Sequence, residues 1–302
     1  MSDFNLFGSD LFGNPVSAKA DGVLSKRFIV PPFSVLNTRE GIWQDRKRAW
    51  IACGIESELG RGAKAFNTEA NIAGGKTGVS VFDPTLTELC YTWFAPHGGQ
   101  IVDPFAGGSV RGMVASFLGF KYWGCDLREE QIAANKSQAA NLDRQPELVC
   151  GDSMDELRSA PDADFVFSCP PYGDLEVYSD DPRDISTLEY HTFIAAYRRI
   201  ILRACERLKQ NRFACFVVGD FRDTKGHYRN FVGDTVESFR QCGLGYYNEM
   251  ILVNPCGTLP QRVTGQFDAS RKIGKTHQNV LVFVKGDAKE ATKTILASGG
   301  GA

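Results

Sequence analysis

Apolar and polar positions change their rhythm along this chain. From about residue 100, short apolar runs with β character alternate with longer stretches of helical period. QIVDPF (100–105), KYWGCDL (121–127), ELVCGD (147–152), DADFVFSC (162–169) and RFACFVVGD (212–220) predict strands. Between them, SVRGMVASFLGF (109–120), REEQIAANKSQAANL (128–142), STLEYHTFIAAYRRIILRACERLKQ (186–210) and FVGDTVESFRQCG (231–243) predict helices. GYYNEMILVN (245–254) and NVLVFVKG (279–286) predict two last strands joined by a long irregular segment. Alternation of this kind specifies an α/β domain whose mostly parallel sheet is covered on both faces. The final pair adds antiparallel character at one edge.

The flanks lack that rhythm. Residues 1–26 are rich in Gly, Ser and Asp, carry LFG twice, and predict a mobile tail. Residues 27–82 form an extension: FIVPPFSVL reads as strand or loop, QDRKRAWIACGIESEL as helix, and 60–81 as a long Gly-, Ala- and Asn-rich loop. Residues 83–286 form the main domain, and 287–302 a loose C-terminal tail.

Composition narrows the class. With 302 residues, 43% of them hydrophobic, the chain suits one large domain with additions. No apolar run approaches a membrane span, and the N-terminus lacks a charged-then-apolar leader pattern, so no membrane partner is expected. The nine cysteines include no CxxC pair, and several sit inside apolar runs as small hydrophobes. No metal site or disulfide framework is therefore expected, and a reducing cytoplasm is the default. A net charge of −2 means that a polyanion would be met by local patches. Two basic runs qualify. One contains Arg46, Lys47 and Arg48; the other contains Arg262, Arg271, Lys272 and Lys275.

Ligands of open α/β sheets bind at the carboxyl ends of the strands. There the first strand ends in Asp103-Pro104-Phe105-Ala106-Gly107-Gly108-Ser109, with glycines where the chain must turn tightly beside a ligand. The second strand ends at Asp126, suited to ribose hydroxyls, and the third at Asp152, suited to an adenine amino group. The GxGxxG and GxxxxGK[ST] spacings are both absent. An acid after each of three strands points to an adenosine ligand that carries positive charge rather than phosphates. After the fourth strand comes Cys169-Pro170-Pro171-Tyr172, where two prolines end the strand and stiffen the delivery of an aromatic ring.

These motifs resemble those of the S-adenosylmethionine-dependent DNA amino-methyltransferases, particularly the prophage-type proteins of the DNA methylase N-4/N-6 family. DPFAGGSVRG is similar to their motif I, GCDLREEQ to motif II, CGDS to motif III, SCPPY to motif IV, and FDPTLTELCYTWF to motif X. VVGDFRD and KTHQNVLVFVKG also resemble phage enzymes of this kind, so the likeness covers roughly residues 27–286. It implies a Rossmann-like class I methyltransferase fold with a seven-stranded sheet, S-adenosylmethionine as cofactor and double-stranded DNA as partner. It places Asp103, Phe105, Ala106 and Gly107, with Gly108 and Ser109, around the methionine moiety, and Pro84 and Thr85 over its end. Asp126 and Leu127 would hold the ribose, and Asp152 and Ser153 the adenine. Cys169, Pro170, Pro171 and Tyr172 would floor the target-base pocket.

An exocyclic amine is a poor nucleophile because its lone pair is delocalised into the ring. A site helps by accepting its N–H groups and aligning it with the sulfonium methyl. Pro170 offers a carbonyl, and Tyr172 a face for a base that has left the stack. The family's Asp, Asn or Ser is here Cys169, a weaker acceptor. Three readings follow: a stand-in for Ser in amine methylation (adenine N6 favoured, cytosine N4 second), a thiolate nucleophile for cytosine carbon-5 methylation, or an inert residue in a silent DNA-binding protein. RNA is a further substrate class for such motifs. No long recognition insertion follows motif IV. The basic segment 254–277 is the candidate for phosphate contacts, with a short or relaxed target sequence. His191, in a helix, reads as structural.

Overall fold

The computed structural model describes residues 28–56, 82–173, 179 and 181–299. The expected tail 1–26 and the loop 60–81 lie outside the described residues. In chain order the elements are β1 (Val35–Asn37), α1 (Gly41–Ala52), α2 (Pro84–Phe94), β2 (Gln100–Asp103), α3 (Val110–Phe117), β3 (Lys121–Asp126), α4 (Glu129–Asn141) and β4 (Glu147–Cys150). There follow α5 (Ser153–Glu156), β5 (Ala163–Ser168), α6 (Tyr190–Arg207), β6 (Leu208–Val218), α7 (Phe231–Gln241), β7 (Gly245–Val253), α8 (Leu259–Ser270), β8 (His277–Lys285) and α9 (Ala288–Ala297).

The strands make one sheet in the order β1-β7-β8-β6-β5-β2-β3-β4. Every pairing is parallel except β6–β8 and β7–β8. This is the expected Rossmann-like methyltransferase arrangement, with two refinements. The sheet has eight strands rather than seven, because Val35–Asn37 pairs with Ile251–Val253. β8 inserts between β6 and β7, antiparallel to both.

Both faces of the sheet are covered, and the strands show it by strict alternation. Phe165 and Phe167 of β5, with Phe213, Cys215 and Val217 of β6, pack on one side against residues of α1, α2 and α3. Val166, Ala214, Phe216 and Val218 pack on the other, against α6 and α7. The α6 stripe (Phe193, Ile194, Tyr197, Ile200, Ile201, Ala204) has the helical spacing that buries one face. Each large side chain in it contributes about 1.5–3 kcal/mol of transfer free energy.

Two expectations near the C-terminus are overturned. Ala288–Ala297 is not a loose tail: Asp287 caps it by accepting from the Lys289 and Glu290 amides, and Ala291 and Ile295 bury against the sheet. The segment between β7 and β8 holds a twelve-residue helix, α8, none of whose described side chains is buried. Among the described residues no helix is long and apolar enough to cross a membrane, and no group of three or more His, Cys, Asp or Glu is placed to hold a metal.

Candidate active site

The chain winds outward from β2 through β3 to β4, then crosses back to β5 on the other side of β2. Adjacent strand ends diverge at such a reversal and leave a crevice. A cavity of about 430 Å³ occupies it. Its wall takes Phe105, Gly107 and Gly108 after β2, Asp126 and Leu127 after β3, Asp152 and Ser153 after β4, and Cys169 to Tyr172 after β5. The glycine turn and the Cys-Pro-Pro-Tyr segment, far apart in sequence, therefore open on one space.

Asp126 fastens the turn. Its Oδ2 accepts from the Gly107 amide at 2.9 Å and its Oδ1 from the Arg128 amide at 3.0 Å. Gly107 adopts φ 51°, a left-handed conformation that a side chain would resist. Burial raises the Asp126 carboxyl above its ordinary value, and these two amides pull it back only in part. Asp152 accepts from the Met154 amide through Oδ1, at the start of the short helix α5. Three of the turn's N–H groups are committed: Phe105 donates to Asp103, Ala106 to the Cys125 carbonyl, and Gly107 to Asp126. A phosphate-binding loop needs such donors free. This donor set instead fits a ligand with hydroxyl and amino groups and a positive charge.

Asp103 stands elsewhere than the resemblance implies. It is fully buried and does not line the cavity. Its carboxylate accepts from the Phe105 amide (3.1 Å), Ser168 Oγ (2.5 Å), Arg111 Nε (2.6 Å) and the Tyr122 hydroxyl (2.8 Å). It thus ties β2, β3, β5 and α3 together beneath the site. Arg111, which the sequence reading passed over, lines the cavity while donating through Nη2 to the Phe105 and Ala106 carbonyls. Its guanidinium lies 4.6 Å from the Phe82 ring centre. The signal was present: a lone cation in the apolar helix VRGMVASF must be paired when buried.

Other expected contacts move by a residue or two. Ala106 is buried and off the wall, and Ser109 gives its hydroxyl to Gln138 of α4. Ser153 lines the cavity but donates to the Pro104 carbonyl. In the motif X stretch the wall is Phe82, Asp83 and Leu86 rather than Pro84 and Thr85. Asp83 caps α2 by accepting from the Thr85 and Leu86 amides, and faces Lys47 at 3.3 Å.

On the opposite wall, Phe221 and Phe231 hold the Tyr172 ring, with centroids at 6.5 and 6.0 Å. Its hydroxyl accepts from Gln278 Nε2 at 2.6 Å and lies 3.9 Å from Cys169 Sγ. Gln278 and Asn254 line this part of the cavity and contact each other at 3.5 Å. Nothing local in the sequence marks them. Gln278 meets Tyr172, and Asn254 meets Gln278, because β8 begins opposite the end of β7.

The first basic run is partly turned inward. Arg46, half-buried, makes a two-pronged ion pair with Glu88, at 2.5 Å through both Nε and Nη2, and Trp50 Nε1 donates to the same carboxylate. Lys47 lines the cavity, and only Arg48, paired with Asp45, is fully outward. Of the second run, Arg271, Lys272 and Lys275 remain on the surface side of the site; the backbone of Arg262 is in α8. His191 is exposed at the start of α6.

No family model matches this chain, and no curated protein does. Among solved structures it is similar to TrmN from Thermus thermophilus (14% identity, TM-score 0.46), over 68% of this chain and 49% of that one, about half its length. It is also similar to precorrin-6y C5,15-methyltransferase from Geobacter metallireducens GS-15 (11%, TM-score 0.46, 73% and 98% of the two chains). A third is magnesium protoporphyrin IX methyltransferase from Synechocystis PCC 6803 with bound SAM (10%, TM-score 0.41, 63% and 71%). Likeness at this level leaves substrate and chemistry to be argued from the site.

Proposed function

We propose that this chain transfers a methyl group from S-adenosylmethionine to the exocyclic amine of a base everted from DNA, adenine N6 before cytosine N4. One observation carries the reading: the acid-lined glycine turn and the Tyr172 platform share one cavity of about 430 Å³, within the size range of small-ligand sites. Asp126 and Asp152 would accept from the ribose and adenine of the cofactor, and Phe105 and Leu127 would pack beside them. The cofactor, when bound, supplies a methyl group made electrophilic by the positive sulfur.

The rest falls to the chain's own residues. Tyr172 is held from behind by two phenylalanines, and its ring face can stack a base at no further cost in order. Gln278 donates to the Tyr172 hydroxyl, so that hydroxyl's proton is directed away from Gln278. Pro170, whose nitrogen has no hydrogen, leaves a carbonyl to accept from the target amine. Catalysis is then chiefly alignment of a weak nucleophile.

A second reading draws on one observation of its own. Cys169 and the Arg111 guanidinium line the same cavity. A nearby cation favours a thiolate, as carbon-5 chemistry requires. Incubation with labelled S-adenosylmethionine and DNA, followed by nucleoside mass spectrometry, separates the two. N6-methyladenine or N4-methylcytosine supports amine transfer; 5-methylcytosine replaces it with the thiolate route; an unlabelled DNA pool refutes both.

A further inference from the structure

Among the large apolar side chains of the described residues, Ile273 is the most exposed, at 72%. A single exposed isoleucine is ordinary on a protein surface. What sets this one apart is that its loop is held in place on every side. Arg271 closes α8 in the left-handed conformation (φ 56°), its amide bonded to the Phe267 carbonyl at 2.8 Å. Gly274 packs against Leu259 so closely that an added Cβ would stand 2.9 Å from that side chain. Lys275 Nζ reaches the Asp220 carbonyl at 3.4 Å, and the Thr276 carbonyl accepts from the Asn254 amide at 2.8 Å. A fixed loop thus presents a branched aliphatic group to water.

The surroundings are charged. Across from the loop stands the turn 221–230, bridged between Arg222 and Tyr228. Lys272 passes beside Gly226, and Lys275 and Arg222 lie 5.8 and 4.0 Å from the Tyr228 ring centre. Arg271, Lys272 and Lys275 thus share the loop with Ile273, and Arg222 and Lys225 belong to the turn that Lys272 and Lys275 contact. Three acids oppose them: Asp268 faces Arg271 at 3.9 Å, Asp223 accepts from the His227 amide, and Asp220 accepts from the Val232 amide. The loop leads directly to the site, because Gln278, five positions on, touches Tyr172. Five residues of chain reach at most roughly 17 Å, so Ile273 lies within that distance of Gln278.

We infer that Ile273 is a wedge. It enters a DNA duplex beside the target and fills the gap left in the stack when the base turns out onto Tyr172, while the cations of the loop and the turn hold the flanking phosphates. Aliphatic wedges between base steps are a general device for opening a stack. The inference rests on the proposed nucleobase reading and adds to it a residue and a requirement: the wedge acts only where there is a stack to enter.

The test compares methyl transfer by the full chain to one genomic DNA preparation, used as duplex and after heat denaturation. Wild type is set beside Ile273→Ala and Ile273→Leu. The exposure of Ile273 means that neither substitution disturbs the core, which a thermal melt verifies. Ile273→Ala is expected to slow transfer to the duplex roughly tenfold and transfer to the denatured strands less than twofold, with Ile273→Leu restoring most of the duplex rate. Equal rates on both forms, or an equal loss on both, overturn the wedge. A change of oligomeric state on gel filtration would reassign Ile273 to a contact between copies. If wild type labels neither form, the nucleobase reading itself falls, and that result is distinguishable because it needs no variant.

Discussion

The two basic runs look alike as text and behave as opposites in the fold. Arg46 lies three residues from Trp43 and four from Trp50, on the face of α1 that packs inward, so its charge is drawn into the core and met there by Glu88. Residues 271–275 follow a helix with no buried described side chain, and Arg271 itself is exposed. The lesson is that a charge run acquires meaning from the face it occupies. Helical spacing against the two tryptophans gave that face away in the first case. Only the strand order gives it in the second.

The largest effect expected from this contrast is on stability. Glu88→Gln leaves the half-buried Arg46 guanidinium without its anion and should cost about 3–5 kcal/mol in urea unfolding, with no change in DNA affinity once folding is allowed for. A loss below about 1 kcal/mol would mean that Arg46 is not a core residue. Next comes the platform. Tyr172→Ala should lower methyl transfer by roughly tenfold to a hundredfold while cofactor binding persists, and Cys169→Ser should keep substantial activity. Third is pH. The Asp126 carboxyl is raised by burial, so its acceptor form is lost at a pH above the ordinary value of about 3.9. Cofactor affinity should weaken as pH falls through that raised value. The same shift makes the folded state bind the proton more readily than the unfolded chain, so this group does not promote acid unfolding. Affinity should therefore fail while circular dichroism stays native. The smallest effect is at the second run. Lys272→Ala should reduce the slope of log affinity against log salt by about 0.9 and leave stability within about 0.5 kcal/mol, whereas Arg46→Met should leave the slope alone.

Much of the fold was legible because its signals are local. The alternation of apolar runs and helical stretches places β2 to β8 within a few residues of where they lie, and Asp126, Asp152 and the glycine turn follow from strand ends. Short or conditional elements were not. β1 is three residues long and exists only by pairing with β7. α9 has just two buried residues to advertise it. In the site, local sequence pointed to Cys169 to Tyr172, which line the cavity, and the resemblance pointed to Asp103, whose carboxylate is occupied by four donors beneath it. Gln278 and Asn254 were beyond reach for another reason. Their place beside Tyr172 depends on β8 running against its neighbours, and no stretch of sequence states that by itself.

The claim on which the rest depends is that the crevice at the ends of β2, β3 and β4 takes up a positively charged adenosine compound. Calorimetric titration with S-adenosylmethionine tests it most directly. The account predicts one site per chain, weakened tenfold or more by Asp152→Ala and nearly unchanged by Tyr172→Ala, as about 1.4 kcal/mol per tenfold step would register. Absence of binding heat with folded protein, confirmed by a second method such as equilibrium dialysis, would contradict it.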